Sequence, residues 1–311
     1  MNTVINAFRR AAVIFLSVYF VLSSLAVSPA AFSPQNEADL QMEIALISDV
    51  HTETNNLGRF NVITKCFKNL NGGKENIDAL ILLGDNTMNG QQLETMFFYG
   101  IMEKVNPIRP YYPIMGNHDV GNSTEADYAK LRTRQLGFLQ TFVDENIQQL
   151  YYSKELNGCH LIFLAPDAAE SPARHLSEEQ LDWLEAELNA AAESGKPIFV
   201  FNHYPYYYMD DSCAERYVSL MNSYDNLFVI VGHMHYYSRV SVIPGEKQTP
   251  EIWVPCLSML DEESRPIDTT GRGYLMDLYP DRVEFHGFNY YTNEYYDFNA
   301  VYPLSAAAET P

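Results

Sequence analysis

The sequence predicts an α/β protein with two sheets packed face to face and helices outside them. Apolar runs alternate with amphipathic helical stretches as far as His235. Four of those runs are continuous, as in strands buried on both faces. Beyond His235 the texture changes and short strands predominate.

Taken in order, residues 42–47 read as a first strand ending at Ser48-Asp49, and a helix follows over 62–70. Residues 77–83 form a second apolar strand ending at Gly84-Asp85, then a helix over 91–105. A third strand, 111–115, ends at Gly116, and 125–146 is helical. Strands at 150–153 and 160–165 pair around a turn at Asn157-Gly158. Ser177-Glu178-Glu179-Gln180 has the form of a capping box and opens an amphipathic helix running through Ala192. Residues 198–201 and 227–231 are the next strands, and 238–243, 252–256, 273–278 and 282–286 complete the set.

The chain has 311 residues, 47% of them hydrophobic, ample for a sizeable core. No linker, composition break or internal repeat divides it, so residues 41–304 read as one domain with a loose tail at 305–311. The net charge of -20 argues against gripping a nucleic acid polymer, which needs a basic surface. Small phosphate esters stay open, because metal ions supply local positive charge.

Arg9 and Arg10 precede an apolar stretch over 11–27, and Ser28-Pro29-Ala30 follows with small residues at the cleavage-determining positions. Residues 1–30 thus have the plan of a secretory signal peptide. The run is nearly long enough to span a membrane, so an uncleaved signal anchor is the alternative. Both place the domain outside the cytoplasm, whether secreted, periplasmic or held at the cell surface. Cys66, Cys159, Cys213 and Cys256 make no CxxC pair, so no zinc knuckle is indicated. Export permits disulfides, while burial as small hydrophobes is the competing reading.

Five short blocks carry the chemistry: Asp49-Val50-His51, Gly84-Asp85-Asn86, Gly116-Asn117-His118-Asp119, Asn202-His203-Tyr204-Pro205 and Gly232-His233-Met234-His235. Each follows a predicted strand, where sites form in open α/β sheets. A lone Asp-X-His or Gly-Asp-Asn is an ordinary turn, but all five in strand context read as one site. Together they offer enough oxygen and imidazole ligands for two adjacent ions of the zinc, manganese or iron kind. Such a pair suits in-line attack on phosphorus. In an extended segment Asp49 and His51 point the same way, as do His233 and His235, with Val50 and Met234 facing the packed side. Asp85 is the candidate bridge between the ions, and Asn117 would bind through its amide oxygen.

His118 follows a ligand directly and is held near the metals without binding them. There it can protonate a leaving alkoxide or steady phosphoryl charge. Asp119 is the candidate to orient its ring. His160 and His286 lie in predicted strands and read as structural, and His175 reads as surface.

In this order the blocks resemble the signature of the calcineurin-like metallophosphoesterases: Asp-X-His, Gly-Asp, Gly-Asn-His-Asp/Glu, a lone His and Gly-His-X-His. The resemblance spans residues 44–235. It implies a four-layer α/β/β/α sandwich of two mixed sheets with a dimetal site at strand carboxyl ends. It implies that Asp49, His51, Asp85 and His235 hold one metal, and Asp85, Asn117, His203 and His233 the other. It also implies a metal-bridging hydroxide attacking phosphorus while His118 assists the leaving group. Gly-Asp-Asn-Thr followed by Asn89-Gly90 is similar to a stretch of bacterial class III cyclic nucleotide phosphodiesterases. The helix opening at Leu176 is similar to a segment common there and in purple acid phosphatases. Those phosphatases carry a Tyr ligand where this chain has Met88, so a tyrosinate-iron centre is not expected.

Tyr204, Tyr206, Tyr207, Tyr208, Tyr236 and Tyr237 surround the motifs, either as a stacking wall for a base or lipid group or as loop packing. Arg239 and Arg272 are candidate phosphate contacts. The expected function is hydrolysis of small phosphate esters by a phosphodiesterase or phosphomonoesterase of broad range. The cofactors would be two divalent or transition metal ions, namely Zn, Mn or Fe. Membrane contact is expected only through an uncleaved anchor. The alternative is a non-catalytic, metal-stabilised binding or scaffold module. Nuclease activity is disfavoured by the charge.

Overall fold

A computed structural model describes residues 39–70, 77–120, 125–167 and 175–305. The expected leader and nearly all of the expected tail lie outside the described residues.

The first half runs β1 (Met42–Ile47), α1 (Leu57–Asn69), β2 (Ala79–Leu82), α2 (Gln92–Lys104), β3 (Tyr111–Pro113), the short α3 (Asn117–Val120), α4 (Glu125–Phe142), β4 (Tyr152–Leu156) and β5 (Cys159–Phe163). The second runs α5 (Glu178–Glu193), β6 (Ile198–Asn202), a 3-10 turn at Tyr206–Tyr208, α6 (Asp211–Met221), β7 (Leu227–Val231), β8 (Arg239–Val242), β9 (Pro250–Trp253), β10 (Arg272–Leu278), β11 (Arg282–Asn289) and β12 (Glu294–Pro303). One sheet has the order β12-β11-β10-β1-β2-β3 and the other β4-β5-β6-β7-β9-β8. Both are mixed. β1 pairs parallel with β2 and antiparallel with β10, and β7 pairs parallel with β6 and β9.

The apolar runs explain the layers. Ile44 and Leu46 of β1 meet Phe163, Phe199 and Ile230 of the second sheet in a core between the sheets. The alternate residues Ala45 and Ile47 face outward onto Val62 and Phe67 of α1 and Phe98 and Met102 of α2. Val200 and Val229 of the second sheet likewise face Leu184 and Leu188 of α5 and Tyr217 of α6. Strands with two buried faces need no polar alternation, so their sequences read as continuous runs. The architecture is the expected four-layer α/β/β/α sandwich.

Ser177 caps α5 as expected, its side chain accepting from the Gln180 N–H. The turn at Asn157-Gly158 has positive φ at both residues, as a two-residue hairpin loop requires. α6 and β12 are additions to the sequence reading. β12 is an edge strand whose residues alternate between exposed and half-buried, so it carries no apolar run. All four cysteines are free and buried, in line with small hydrophobes rather than disulfides. No helix among the described residues is long and apolar enough to cross a membrane.

Candidate metal centre

The five blocks converge from both sheets. β1, β2 and β3 end at the blocks of Asp49, Asp85 and Asn117, and β6 and β7 at those of His203 and His233. Short bridges fasten the ends together. Ser48 pairs with Cys256, and Thr52 with Thr87. The Asp49 N–H donates to the Gly84 carbonyl and the His51 N–H to that of Asp85.

The backbone at these blocks is not extended, which corrects the expected geometry. Asp49, His51, Asp85, His233 and His235 have φ of 53°, 49°, 51°, 67° and 39°. Left-handed backbone costs a non-glycine residue on the order of 1–3 kcal/mol, and Asp and His are among the types that tolerate it best. Such outliers concentrate where a site over-determines the chain. Val50 is still buried against the α1 and α2 layer and Met234 packs beside the α5 and α6 layer. Gly116 is required by close approach, because a Cβ there would lie 2.2 Å from Asp85 Oδ1. At Gly84, with φ of 85°, a Cβ would lie 2.6 Å from His203 Nδ1.

Two ligand groups result. Asp49, His51, Asp85 and His235 form one, and Asp85, His203 and His233 the other. In each group the ligand atoms, one per residue, all lie within 4.8 Å of one another, and Asp85 belongs to both. His51 Nε2 and His235 Nε2 are 3.2 Å apart, and Asp49 Oδ1 lies 2.9 Å from His235 Nε2. His203 Nε2 is 3.2 Å from Asp85 Oδ2 and 3.2 Å from Asn117 Oδ1. Its Nδ1–H donates to the Leu83 carbonyl at 2.7 Å, which turns Nε2 inward.

The residues fit a pair of cations. Asp49 Oδ1, Asp85 Oδ2 and His233 Nδ1 are buried without a hydrogen-bond partner. The other carboxylate oxygens are occupied: Asp49 Oδ2 by Ser48 Oγ and the His233 N–H, and Asp85 Oδ1 by the His118 N–H. One oxygen of each carboxylate is thus left facing the other ligands. Burial pushes the Asp49 carboxyl up, but the imidazoles of His235 and His51 hold it well below its ordinary range. Burial alone would lower His203, yet Asp85 beside it raises it to about 9. Burial and the neighbouring His203 bring His233 down to about 4. The pocket therefore demands cationic charge beside its two carboxylates.

His118 sits next to the groups and belongs to neither, its ring centroid 4.8 Å from that of His51 in a T-shaped contact. Asp119 does not orient that ring, contrary to expectation. Its carboxylate accepts from the N–H groups of Asn86, Thr87 and Gly116 and from Thr87 Oγ1, tying the β2 and β3 loops together. The partner of His118 Nδ1 is the Met88 carbonyl at 2.6 Å. A backbone acceptor leaves no trace in side-chain identity, so the sequence did not reveal it.

One other neighbour, Cys256, escaped the sequence reading as part of the site. Cys256 falls within ligand reach of His51 and His235, but burial pushes its thiol up and its Sγ–H donates to the Asp49 carbonyl. Tyr204 and Tyr208 pack edge-on against His233, with centroids 4.4 and 5.1 Å away. Tyr207 is 48% exposed, Tyr236 68% and Tyr237 54%, so this flank of the site presents open aromatic surface. Arg239 lies over the Trp253 ring and Arg272 over that of Tyr296, so both guanidinium groups have aromatic partners. His160 and His286 lie in strands, and His175 is half-buried beside Ser212.

Residues 42–237 match the family model for calcineurin-like phosphoesterases. A probable glycerophosphodiester phosphodiesterase of Arcobacter nitrofigilis is 25% identical over 210 residues, 62% of this chain and 72% of that one. A glycerophosphodiester phosphodiesterase of Enterobacter lignolyticus is 26% identical over 242 residues, 72% and 82% of the two chains. A probable cyclic nucleotide phosphodiesterase of Rhodococcus erythropolis is 28% identical over 168 residues, 51% and 52% of the two chains. A purple acid phosphatase from yellow lupin seeds superposes with a TM-score of 0.60 at 15% identity, over 84% of this chain and 53% of that one, a likeness of fold.

Proposed function

The chain belongs to the calcineurin-like phosphoesterase family and is a metal-dependent phosphoric ester hydrolase; within that class we propose that it cleaves small phosphodiesters in preference to monoesters. Asp49, His51, Asp85 and His235 would hold one ion, and Asp85, Asn117, His203 and His233 the other, with Zn, Mn or Fe suiting the donors. The carrying observation is that the buried Asp85 carboxylate belongs to both ligand groups, with His118 just outside both. When bound, two such ions draw charge off the phosphoryl oxygens and make water nucleophilic at neutral pH.

The chain's own residues do the rest. Because a carbonyl only accepts, the short contact to Met88 fixes the proton of His118 on Nδ1 and leaves Nε2 for the leaving-group oxygen. Acting as general acid, His118 must carry a second proton on Nε2; it gives that proton to the leaving oxygen as the ester bond breaks and is left as the neutral Nδ1–H tautomer. The exposed Tyr207, Tyr236 and Tyr237 give the second ester arm of a diester apolar surface to lie on. The names of the phosphodiesterase relatives support the diester preference.

The test is turnover of bis-p-nitrophenyl phosphate and p-nitrophenyl phosphate by the full chain loaded with Zn, Mn or Fe. Cleavage of both with the diester favoured is expected. No turnover of either with any ion would overturn the reading, and a monoester preference would overturn its diester part. We also propose that the enzyme works outside the cytoplasm, on the strength of the leader-like residues 1–30. Recovery of the expressed full chain solely in the cytoplasmic fraction would refute that.

A further inference from the structure

We propose a separate divalent cation site at the far end of the first sheet, formed by Asp277, Glu284 and His286, with Glu43 beside it on the neighbouring strand. It is unconnected with the candidate metal centre. Glu43 stands six residues before Asp49, which at ~3.3 Å per strand residue separates the two by about 20 Å.

The strand register builds the site. Glu43 of β1 stands directly opposite Asp277 of β10, and Asp277 directly opposite Glu284 of β11. Directly opposed residues share a face with Cβ atoms ~4.5–5.5 Å apart, and like charges placed so repel. His286 follows Glu284 by two residues and so joins the same face. Ligand atoms of Asp277, Glu284 and His286, one from each, lie within 4.8 Å of one another. His286 Nε2 is 3.0 Å from Glu284 Oε2 and 3.5 Å from Asp277 Oδ2. These separations bracket the ~3.3 Å between neighbouring ligands on a tetrahedral ion with bonds of ~2.0 Å.

Two further observations point to a bound cation. Glu43 and Asp277 are 0% and 1% exposed, and both oxygens of Glu43 and Oδ1 of Asp277 have no hydrogen-bond partner. The charge does not balance either. A fourth carboxylate, Asp78, accepts from the Glu43 N–H at 2.9 Å. Against these four stand the His286 imidazole and the Arg282 guanidinium, which holds Glu284 Oε1. With all four carboxylates ionised the cluster is two positive charges short even when His286 is protonated, so it must take up either a cation or protons. Burial, then Asp277 and Asp78, raise the Glu43 carboxyl to about 8, which reflects the same deficit.

The tautomer of His286 suits ligation. Its Nδ1 contacts Asn299 Oδ1 of β12 at 2.8 Å, so Nδ1–H donates outward, and Nε2, 3.0 Å from Glu284 Oε2, is the nitrogen that would bind an ion on giving up its hydrogen. Carboxylates plus one imidazole select zinc or manganese over calcium or magnesium. The ion would clamp β1, β10 and β11 and take no part in turnover.

The test is metal content by mass spectrometry after the full chain is stripped with EDTA, reloaded with Zn or Mn and freed of excess ion. Asp277→Asn is expected to bind one ion fewer than the wild type while hydrolysing bis-p-nitrophenyl phosphate at the wild-type rate. A conservative second variant, His286→Gln, is expected to do the same and serves if Asp277→Asn does not fold. Failure of the dimetal centre lowers metal content and turnover together, whereas failure of this site lowers metal content alone. Equal metal content in wild type and folded variants would overturn the proposal, leaving a carboxylate cluster neutralised by protons.

Discussion

His118 and Asp119 are neighbours with different work. His118 faces the site with Nδ1 fixed on a backbone carbonyl, and Asp119 turns away to accept from five donors of the adjoining loops, the Asn86 side-chain amide among them. His118→Ala should therefore lower kcat by about 10²–10⁴ with bound metal unchanged, as loss of a proton donor does. Unaltered kcat would remove His118 from the mechanism. Asp119→Asn replaces an acceptor by a donor among buried N–H groups and should cost about 1–3 kcal/mol in urea unfolding. A variant as stable as wild type would show that the clamp contributes nothing.

At the level of elements, the flank of the site depends on β9. Glu251 of that strand is fully buried and accepts from the Tyr206 N–H, Ser241 Oγ and Trp253 Nε1, which anchors the turn Tyr206–Tyr208. Burial raises its carboxyl above the ordinary 4.5, partly offset by those three donors. With the folded value above the unfolded one, the unfolded chain releases this proton first as pH rises. Its contribution to stability is thus full below 4.5 and is lost as pH climbs through the folded value. Glu251→Gln should flatten that part of the stability profile and, by loosening the tyrosine turn, raise KM for a diester more than it lowers kcat. An unchanged pH profile in thermal melts would show that Glu251 does not titrate in this range.

Across the whole molecule, the ligands come from strands of two different sheets, so ions at the centre act as a fastener between halves of the sandwich. Chelation should abolish turnover and lower Tm, and readdition should restore both. Binding to the folded state alone stabilises by about 2.7 kcal/mol at free ion 100 times Kd. Asp85→Asn, which strikes both ligand groups at once, should lose most of that response. A Tm indifferent to EDTA would show that the ions are not tied to folding.

Much of this molecule is legible in its residues alone. The strands of the two sheet centres announce themselves because both their faces are buried, and the site residues because each stands just past such a strand. β12 and α6 lack a continuous apolar run, and their signal is periodic instead: Tyr296, Phe298, Ala300 and Tyr302 alternate along β12, and Cys213, Tyr217, Leu220 and Met221 recur at helical spacing in α6, each interleaved with polar residues. The layers, the ligand types and their order thus follow from the chain's own pattern of residues. How the ligands meet was decided by tertiary packing, through left-handed backbone at Asp49, His51, Asp85, His233 and His235 where extended chain was expected. Packing also decided that Met88 rather than Asp119 orients His118, and that Glu43, Asp277 and Glu284, far apart in the chain, stand in one row. Backbone carbonyls and cross-strand register are common to every residue type, so they are set by packing and leave no mark on residue identity.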